Sequence, residues 1–261
     1  MRIALGIEYE GRNYAGFQRQ NEKNSVQGEL ERALSSIADE EVLLQCAGRT
    51  DAGVNATGQV VHIDVTKERN DRAWVMGTNT MLPKDIAVTW AKHVPDTFHA
   101  RFSARARRYR YILQNTLYRP GVLSHGLSVY QGNFDIEKMQ TAALILKGEH
   151  DFASFCGADD ETRSTYRCVH FLEVSRHGPF IVFDIAANAF LNHMVRNIVG
   201  SLLMVGSGSR EITWFEEVFK ACDRSKAGPT AKPGGLYLVD VTYPFEFKLP
   251  QRDFIGPLWL P

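Results

Sequence analysis

One short loop carries residue types that could do chemistry. Residues 47–54 read AGRTDAGV and lie between two runs of strand composition. Because glycine permits positive φ and the close approach of a ligand, its two glycines would let Arg49 and Asp51 face a bound molecule. Asp51 could then serve as a nucleophile or as a base. The alternative is a structural turn, since aspartate beside threonine and glycine often bonds to nearby backbone.

A second group is an arginine-rich segment that ends in a strand pattern. In a strand over residues 106–113, Tyr109 and Tyr111 would lie on one face, and Arg108 and Arg110 on the other. The arginines of this segment are interleaved with Phe102, Tyr109 and Tyr111, a combination typical of RNA-binding surfaces. We therefore predict an RNA contact formed by five arginines: Arg101, Arg105, Arg107, Arg108 and Arg110. The alternative is a charged face that only meets solvent.

A third group begins a predicted helix at residues 192–200. Asn192, His193 and Arg196 have helical spacing and should share one side of this helix, with apolar residues on the other side. Taken alone, this stripe would be an ordinary polar surface.

Four blocks of sequence, in order along almost the whole chain, resemble the TruA-type tRNA pseudouridine synthases. These blocks are residues 48–60, 106–111, 190–200 and 235–238. One position differs, because Asn55 stands where relatives usually carry histidine. Asparagine still offers a side-chain donor and an acceptor.

The resemblance implies that the chain isomerises uridine to pseudouridine at positions 38, 39 and 40 of the tRNA anticodon arm. Asp51 would be the essential catalytic residue, either attacking C1′ or removing a ribose proton. Tyr109 would stack on the flipped uracil, and Arg196 would form an ion pair with Asp51. Arg49 and Leu236 would also contact the substrate. The resemblance further implies a homodimer, and the reaction needs no cofactor or metal.

Two other classes of function remain open on the residues alone. A non-catalytic RNA-binding module would explain the arginine-rich strand but not the loop around Asp51. A glycosidase or nucleotide hydrolase would use Asp51 with a second carboxylate, for which Glu10 and Asp184 are candidates.

Composition limits the class of protein. The 261 residues are 44% hydrophobic and 23% charged, which is ordinary for a globular protein. Thirty Lys and Arg balance thirty Asp and Glu, so an RNA site must be a local basic patch. The four cysteines are widely spaced, which indicates reduced and mostly buried thiols and no metal motif. With no signal sequence or membrane segment, we expect a cytoplasmic protein.

The pattern of elements predicts an α/β protein of the α+β type. We expect two similar domains, 1–113 and 114–261, with mixed or antiparallel sheets, connected near residues 115–126. The resemblance implies the pseudouridine synthase fold, with the sheets joined across a central cleft.

Several local features are predicted in more detail. Asn24 or Ser25 should cap a first helix, and Trp74, Thr78, Met81 and Leu82 should face inward from a second. We also predict a helix from Asp135 to Gly148, a hairpin of 166–175 with 180–187, a capping box at 213–216 and a last strand at 236–243. The apolar tail 254–260 would suit either burial in a dimer or packing on its own domain.

Overall fold

The computed structural model describes residues 1–20, 23–121, 124–158 and 163–250, so the apolar tail 254–260 lies outside the described residues. The protein has a mixed α/β fold with mostly antiparallel strands, which confirms the predicted fold class. The chain forms two compact units, residues 1–106 with 237–261, and residues 107–236.

These limits differ from the predicted domains 1–113 and 114–261. The last strand returns to pair with a strand of the first unit, where Tyr237 lies opposite Asn55 and Leu238 opposite Ala56. Hydrophobic spacing within a segment cannot show such a return, because it carries no information on strand partners.

The first unit is a twisted sheet with helices packed against it. Its strands are β1 (Arg2–Tyr9), β2 (Leu44–Cys46), β3 (Asn55–Asp64), β4 (Ile86–Val94) and a final strand (Leu236–Thr242). The strand order is β4-β1-β3 followed by the final strand, which runs parallel to β3, while β2 pairs with β3. Helix α1 (Val26–Ala38), a π-helical turn (Ala73–Gly77) and α2 (Thr78–Met81) complete it.

In the helices of the first unit, the predicted N-cap and most of the predicted inward-facing residues can be compared with the structure. Ser25 is the N-cap of α1, and its Oγ accepts a hydrogen bond from the Gly28 amide at 3.2 Å, an interaction that contributes about 1 kcal/mol. Trp74 and Thr78 are buried as predicted. The prediction for Met81 is wrong, because its side chain is 37% exposed. The π-helical turn adds a residue to the helical period and so rotates the residues that follow.

The second unit repeats the combination of sheet and helices. Its strands are β5 (Ala106–Asn115), β6 (Ser128–Tyr130), β7 (Gly148–Asp151), β8 (Tyr166–His177) and β9 (Phe180–Ala187). The order is β5-β9-β8-β7, all antiparallel, with β6 parallel to β5. Its helices are α3 (Ile136–Leu144), α4 (Met194–Gly206) and α5 (Ile212–Ala221). The final strand, Leu236–Thr242, is β10.

The predicted hairpin and the Asp135 cap of α3 are confirmed, but two helix starts are not. Helix α5 begins after Glu211 without a side-chain cap, so the predicted capping box at 213–216 is wrong. Helix α4 begins only at Met194, after His193 in a left-handed conformation with φ of 58°. Asn192 and His193 therefore lie outside the helix and do not share a helical stripe with Arg196.

None of the four cysteines, all of which lie in the described residues, forms a disulfide, but the prediction that most are buried is wrong. Cys46, Cys156 and Cys168 are half-buried, and Cys222 is exposed. Cys222 is the C-cap of α5 and has a positive φ, a position that faces solvent at the end of the helix.

Candidate functional site

The loop that carries Asp51 is attached at its start to β3. The Ala47 amide donates to the Val60 carbonyl at 2.8 Å, which extends the pairing of β2 with β3 by one residue. The side-chain amide of Gln59, which is fully buried, donates to the Gly48 carbonyl at 2.7 Å. These bonds fix the backbone before the first charged residue of the loop.

Thr50 attaches the middle of the loop to the core. Its buried hydroxyl shares a hydrogen bond of 2.7 Å with the Tyr9 hydroxyl at the end of β1. Its carbonyl accepts from the Phe17 amide at 3.0 Å. Gly16 makes this approach possible, because a Cβ there would lie 2.9 Å from the Thr50 carbonyl oxygen. The residue before Asp51 is thus held from both its side chain and its backbone.

Asp51 itself is half-buried, between the exposed residues Arg49 and Ala52. Its carbonyl accepts from the Val54 amide at 3.1 Å, and Gly53 in this turn has a φ of 76°. The prediction that a glycine supplies a positive φ beside Asp51 is confirmed at Gly53. The loop therefore has a hydrogen-bonded backbone, with Arg49 exposed and Asp51 half-buried.

A second basic residue lies near this loop. Burial of the thiol raises the pKa of Cys46 to about 11, and the guanidinium groups of Arg49 and Arg101 both oppose this rise. Both cations are consequently close enough to Cys46 to act on it electrostatically. The Arg101 segment and the Asp51 loop thus border the same thiol.

Strand β5 has the two faces that the sequence predicts. Tyr109 and Tyr111 are buried, with 8% and 0% exposure, whereas Arg108 and Arg110 are half-buried on the other face. The edge of the Tyr109 ring contacts Phe190, with centroids 4.9 Å apart at 83°. Tyr109 is therefore a well-fixed ring.

Arg108 and Arg110 both bind Asp184 of β9, which lies opposite Arg110 in the strand register. The Asp184 carboxylate accepts from Arg108 Nε and Nη2 and from Arg110 Nε, each at 2.7 Å. Arg107 donates to the Asn188 carbonyl at 3.0 Å. These three arginines thus have a structural role that the sequence pattern did not predict. Arg101 and Arg105 are exposed.

Arg196 lies on the first turn of α4 and is held by Ala231. Its Nε donates to the Ala231 carbonyl at 2.8 Å, and its own carbonyl accepts from the Ala231 amide at 3.1 Å. Burial raises the pKa of Tyr111 well above its ordinary value, and Arg196 opposes the rise. Arg196 therefore lies close enough to Tyr111 to act on it electrostatically. Leu236 is buried at the first position of β10.

Two polar residues near the loop have structural roles. The buried Asn55 side chain accepts from the Gly11 amide at 2.9 Å. The buried His62 Nδ1 accepts from the Ala100 amide at 3.1 Å. Burial, with Arg2 and His99 nearby, lowers the pKa of His62 to about 4, so its ring is neutral at pH 7.

The sequence pattern gave little indication of the contacts made by Asp184, His99 and Phe102. Asp184 pairs with β5 only through the sheet register, and His99 and Phe102 lie in a loop without periodicity. In the sequence, the sign that pointed to Phe102 was an aromatic residue placed between arginines. In the described part of the chain, no group of three or more His, Cys, Asp or Glu residues could hold a metal ion. No helix there is long and apolar enough to cross a membrane.

Comparisons with known proteins agree along the whole chain. A family model described as tRNA pseudouridine synthase matches residues 6–103 and 142–244. Proteins named tRNA pseudouridine synthase A are similar over their full length. The one from Vibrio vulnificus (strain YJ016) is 59% identical over 261 residues, covering 100% of this chain and 98% of the relative. The one from Shewanella sp. (strain W3-18-1) is 57% identical over 260 residues, covering 100% and 99%.

One similar solved structure is a chain of the archaeal box H/ACA sRNP Nop10-Cbf5 complex. The match covers 86% of this chain and 59% of that chain. Its identity of 12% and its TM-score of 0.36 are too low to add to the assignment.

Proposed function

Because the chain belongs to the tRNA pseudouridine synthase family, we propose that it isomerises uridine to pseudouridine at positions 38, 39 and 40 of the tRNA anticodon arm. The observation that carries this proposal is the fixed loop around Asp51, in a chain that matches such enzymes from end to end. The positions within tRNA rest on the resemblance of the sequence blocks to TruA-type enzymes.

The reaction explains why one carboxylate is enough. The bond between uracil N1 and ribose C1′ breaks, the base turns while bound, and C5 joins C1′; C5 then loses its proton and N1 takes one up. No electrons are gained or lost, and no group enters from outside. In this proposal Asp51 begins the cleavage, either by attacking C1′ or by removing a ribose proton.

Precise placement of that carboxylate matters for both routes. A catalytic group held in its reactive geometry avoids an entropic cost at the moment of reaction. The bonds of Thr50 to Tyr9 and Phe17 supply such placement, since they fix the residue next to Asp51.

In the second unit, we assign substrate contacts to Tyr109, Arg196 and Leu236. The Tyr109 ring, supported by Phe190, would stack on the uracil, and its phenol could take the C5 proton late in the reaction. Arg196, fixed by Ala231, would supply a cation that contacts the substrate. Leu236 would form an apolar wall beside the base.

The RNA contact is assigned mainly to exposed arginines. With equal numbers of acidic and basic residues, tRNA must be held by a local patch. Arg101 and Arg105 are exposed and fit this role, whereas Arg108 and Arg110 already bind Asp184. Arg49 would fill the space left by a flipped nucleotide, a rearrangement that costs a few kcal/mol.

The structure disfavours Asp184 as the second carboxylate of a glycosidase or nucleotide hydrolase. Asp184 accepts three hydrogen bonds from two guanidinium groups, so it is committed to an ion-pair cluster. Glu10 remains the other candidate. Incubation with free nucleosides, followed by detection of released base, separates this alternative from isomerisation.

The proposed function is tested with unmodified tRNA transcript and chemical mapping of pseudouridine at nucleotide resolution. We expect new pseudouridine at one or more of positions 38, 39 and 40. A transcript with cytidine at these positions is the matched control and should stay unmodified. Modification elsewhere would contradict the assigned positions, and binding without any modification would favour a non-catalytic RNA-binding module.

The homodimer stays a prediction from the resemblance. Light scattering of the purified full chain measures it directly, with a mass near twice 29.4 kDa expected. A mass near that of one chain would contradict it.

A further inference from the structure

Residues 98–105, the Phe102 loop, end a row of rings that begins in the core of the first unit. Phe98 is fully buried and contacts His62, with ring centroids 6.1 Å apart. His62 contacts His99 at 4.6 Å, and His99 contacts Phe102 at 4.3 Å. Phe102 is 76% exposed. The row therefore supports one large aromatic ring that faces solvent.

The backbone of the Phe102 loop is fixed by the same residues. His99 Nδ1 accepts from the amides of Arg101 and Phe102, at 3.1 and 3.2 Å. The His99 amide donates to Ser103 Oγ, and the Ser103 amide donates to the His99 carbonyl, both at 2.9 Å. The Tyr243 hydroxyl donates to the Ala100 carbonyl at 2.6 Å. An exposed phenylalanine on so well-bonded a loop is already ordered before any ligand arrives.

The charge beside the ring favours an anionic partner with flat groups. The Arg101 guanidinium lies 5.8 Å from the centroid of the Phe102 ring. Arg101 also acts on the Cys46 thiol together with Arg49 of the Asp51 loop. A stacking ring with a cation next to it is the usual means of binding unpaired nucleotides, since the ring meets a base and the cation meets a phosphate.

We propose that Phe102 is a positioning residue that stacks on an unpaired base of the RNA substrate while Arg101 binds the adjoining phosphate. The proposal rests on the proposed function, which makes RNA the substrate. It assigns a specific contact to Phe102, which the sequence pattern indicated only as one of the aromatic residues interleaved with the arginines. Single-stranded or flipped-out nucleotides are the chemical class that this contact accepts, because a base within a helix has no free face.

The test compares Phe102→Ala with Phe102→Tyr and uses Phe245→Ala as the matched control. Phe245 is also an exposed phenylalanine of the first unit, at 82%. Stacking on one base typically changes affinity by roughly 5- to 100-fold, so Phe102→Ala should weaken tRNA binding by about that factor. Phe102→Tyr should stay within about threefold of the wild type, because it keeps the ring. Phe245→Ala should bind as the wild type does.

A spectroscopic measurement separates stacking from a merely structural role. The variant Phe102→Trp adds one tryptophan, whose emission is the difference in fluorescence between the variant and the wild type. Addition of tRNA should quench this difference, because a stacked base quenches indole emission. Circular dichroism and light scattering of each variant report folding and oligomeric state. Normal affinity and turnover in a folded Phe102→Ala would overturn the proposal, as would a weakening that appears only as a change of oligomeric state.

The same experiment distinguishes the two proposals. If the wild type forms pseudouridine but Phe102→Ala matches it in affinity and turnover, the proposed function stands and the Phe102 contact is wrong. If the wild type binds tRNA without forming pseudouridine, the proposed function is wrong, and the affinity of Phe102→Ala still decides whether Phe102 stacks on RNA.

Discussion

At the scale of single residues, the hydrogen bonds of Thr50 fix the position of the neighbouring Asp51. Thr50 is buried and bonded to Tyr9 and Phe17, so the adjacent Cα cannot move far. The carboxylate then needs little reorganisation when a substrate arrives. The residues alone left Asp51 open between a chemical role and a structural turn, and the resemblance of the sequence blocks assigned it the essential role. The sequence pattern did not indicate the Tyr9 hydrogen bond, which joins residues 41 positions apart.

Tyr9→Phe tests whether these hydrogen bonds fix Asp51. The variant keeps the ring against Phe17 but leaves the buried Thr50 hydroxyl without its partner, which should cost about 1–2 kcal/mol of folding free energy. Turnover should fall several-fold while KM changes less, because the loop is loosened and the RNA-binding residues are unchanged. Denaturant titration and steady-state kinetics measure the two effects.

Tyr14→Phe is the matched control for Tyr9→Phe. Tyr14 is buried in the same unit, and its hydroxyl donates to Asp85 at 2.6 Å and not to a residue of the Asp51 loop. It should lose comparable stability without a loss of turnover. Equal loss of turnover in both variants would remove the special role of the Tyr9 hydrogen bond.

At the scale of elements, strand β5 combines two tasks on its two faces. One face carries the fixed rings of Tyr109 and Tyr111, and the other joins β9 through Asp184. The alternation of side chains was predictable, because period two is a local property of any strand. The partner of the arginines was not, since register with β9 depends on how the sheet assembles.

This arrangement predicts different effects for two pairs of arginines. The double variant Arg101→Gln with Arg105→Gln should reduce the salt slope of tRNA binding by ~0.7–0.9 for each arginine that binds a phosphate in the wild type. The double variant Arg108→Gln with Arg110→Gln should leave the slope nearly unchanged and instead lower stability by about 1–3 kcal/mol, because Asp184 loses both partners. Binding isotherms at several salt concentrations, with denaturant titrations, decide between these outcomes. A smaller slope in the Arg108 and Arg110 variant would show that this pair meets phosphate after all.

At the scale of the whole molecule, stability should depend on pH through His62. Its folded pKa is lowered from 6.5 to about 4, first by burial and then by Arg2 and His99, with Asp64 opposing. Between these values the unfolded chain binds more protons, so the free energy of unfolding rises with pH across this window and is constant above it. The gain attributable to His62 is about 3 kcal/mol.

His62→Asn removes this titration and keeps an acceptor for the Ala100 amide. We expect its denaturation midpoint to vary less between pH 4.5 and pH 7 than that of the wild type, while the two proteins come close together at the lower pH. Equal pH dependence in both proteins would place the titration on other groups.

The helices and strands of the two units were predictable from the sequence, but the limits of the units were not. The order of elements and the α/β class were predictable from spacing, as the Ser25 cap and the hairpin of β8 and β9 illustrate. The unit limits were not, because β10 pairs with β3 almost two hundred residues earlier in the chain. The start of α4 was placed too early because His193 adopts a left-handed φ, which no residue preference indicated.

Single-turnover pseudouridine formation in Asp51→Asn tests whether Asp51 carries the chemistry. The control is Asp71→Asn, which changes an exposed aspartate of the same unit. We expect Asp51→Asn to bind tRNA within a few-fold of the wild type, since phosphate contacts supply most of the affinity, and to form no pseudouridine. Asp71→Asn should behave as the wild type. Pseudouridine formation by Asp51→Asn at a rate near that of the wild type would contradict the account.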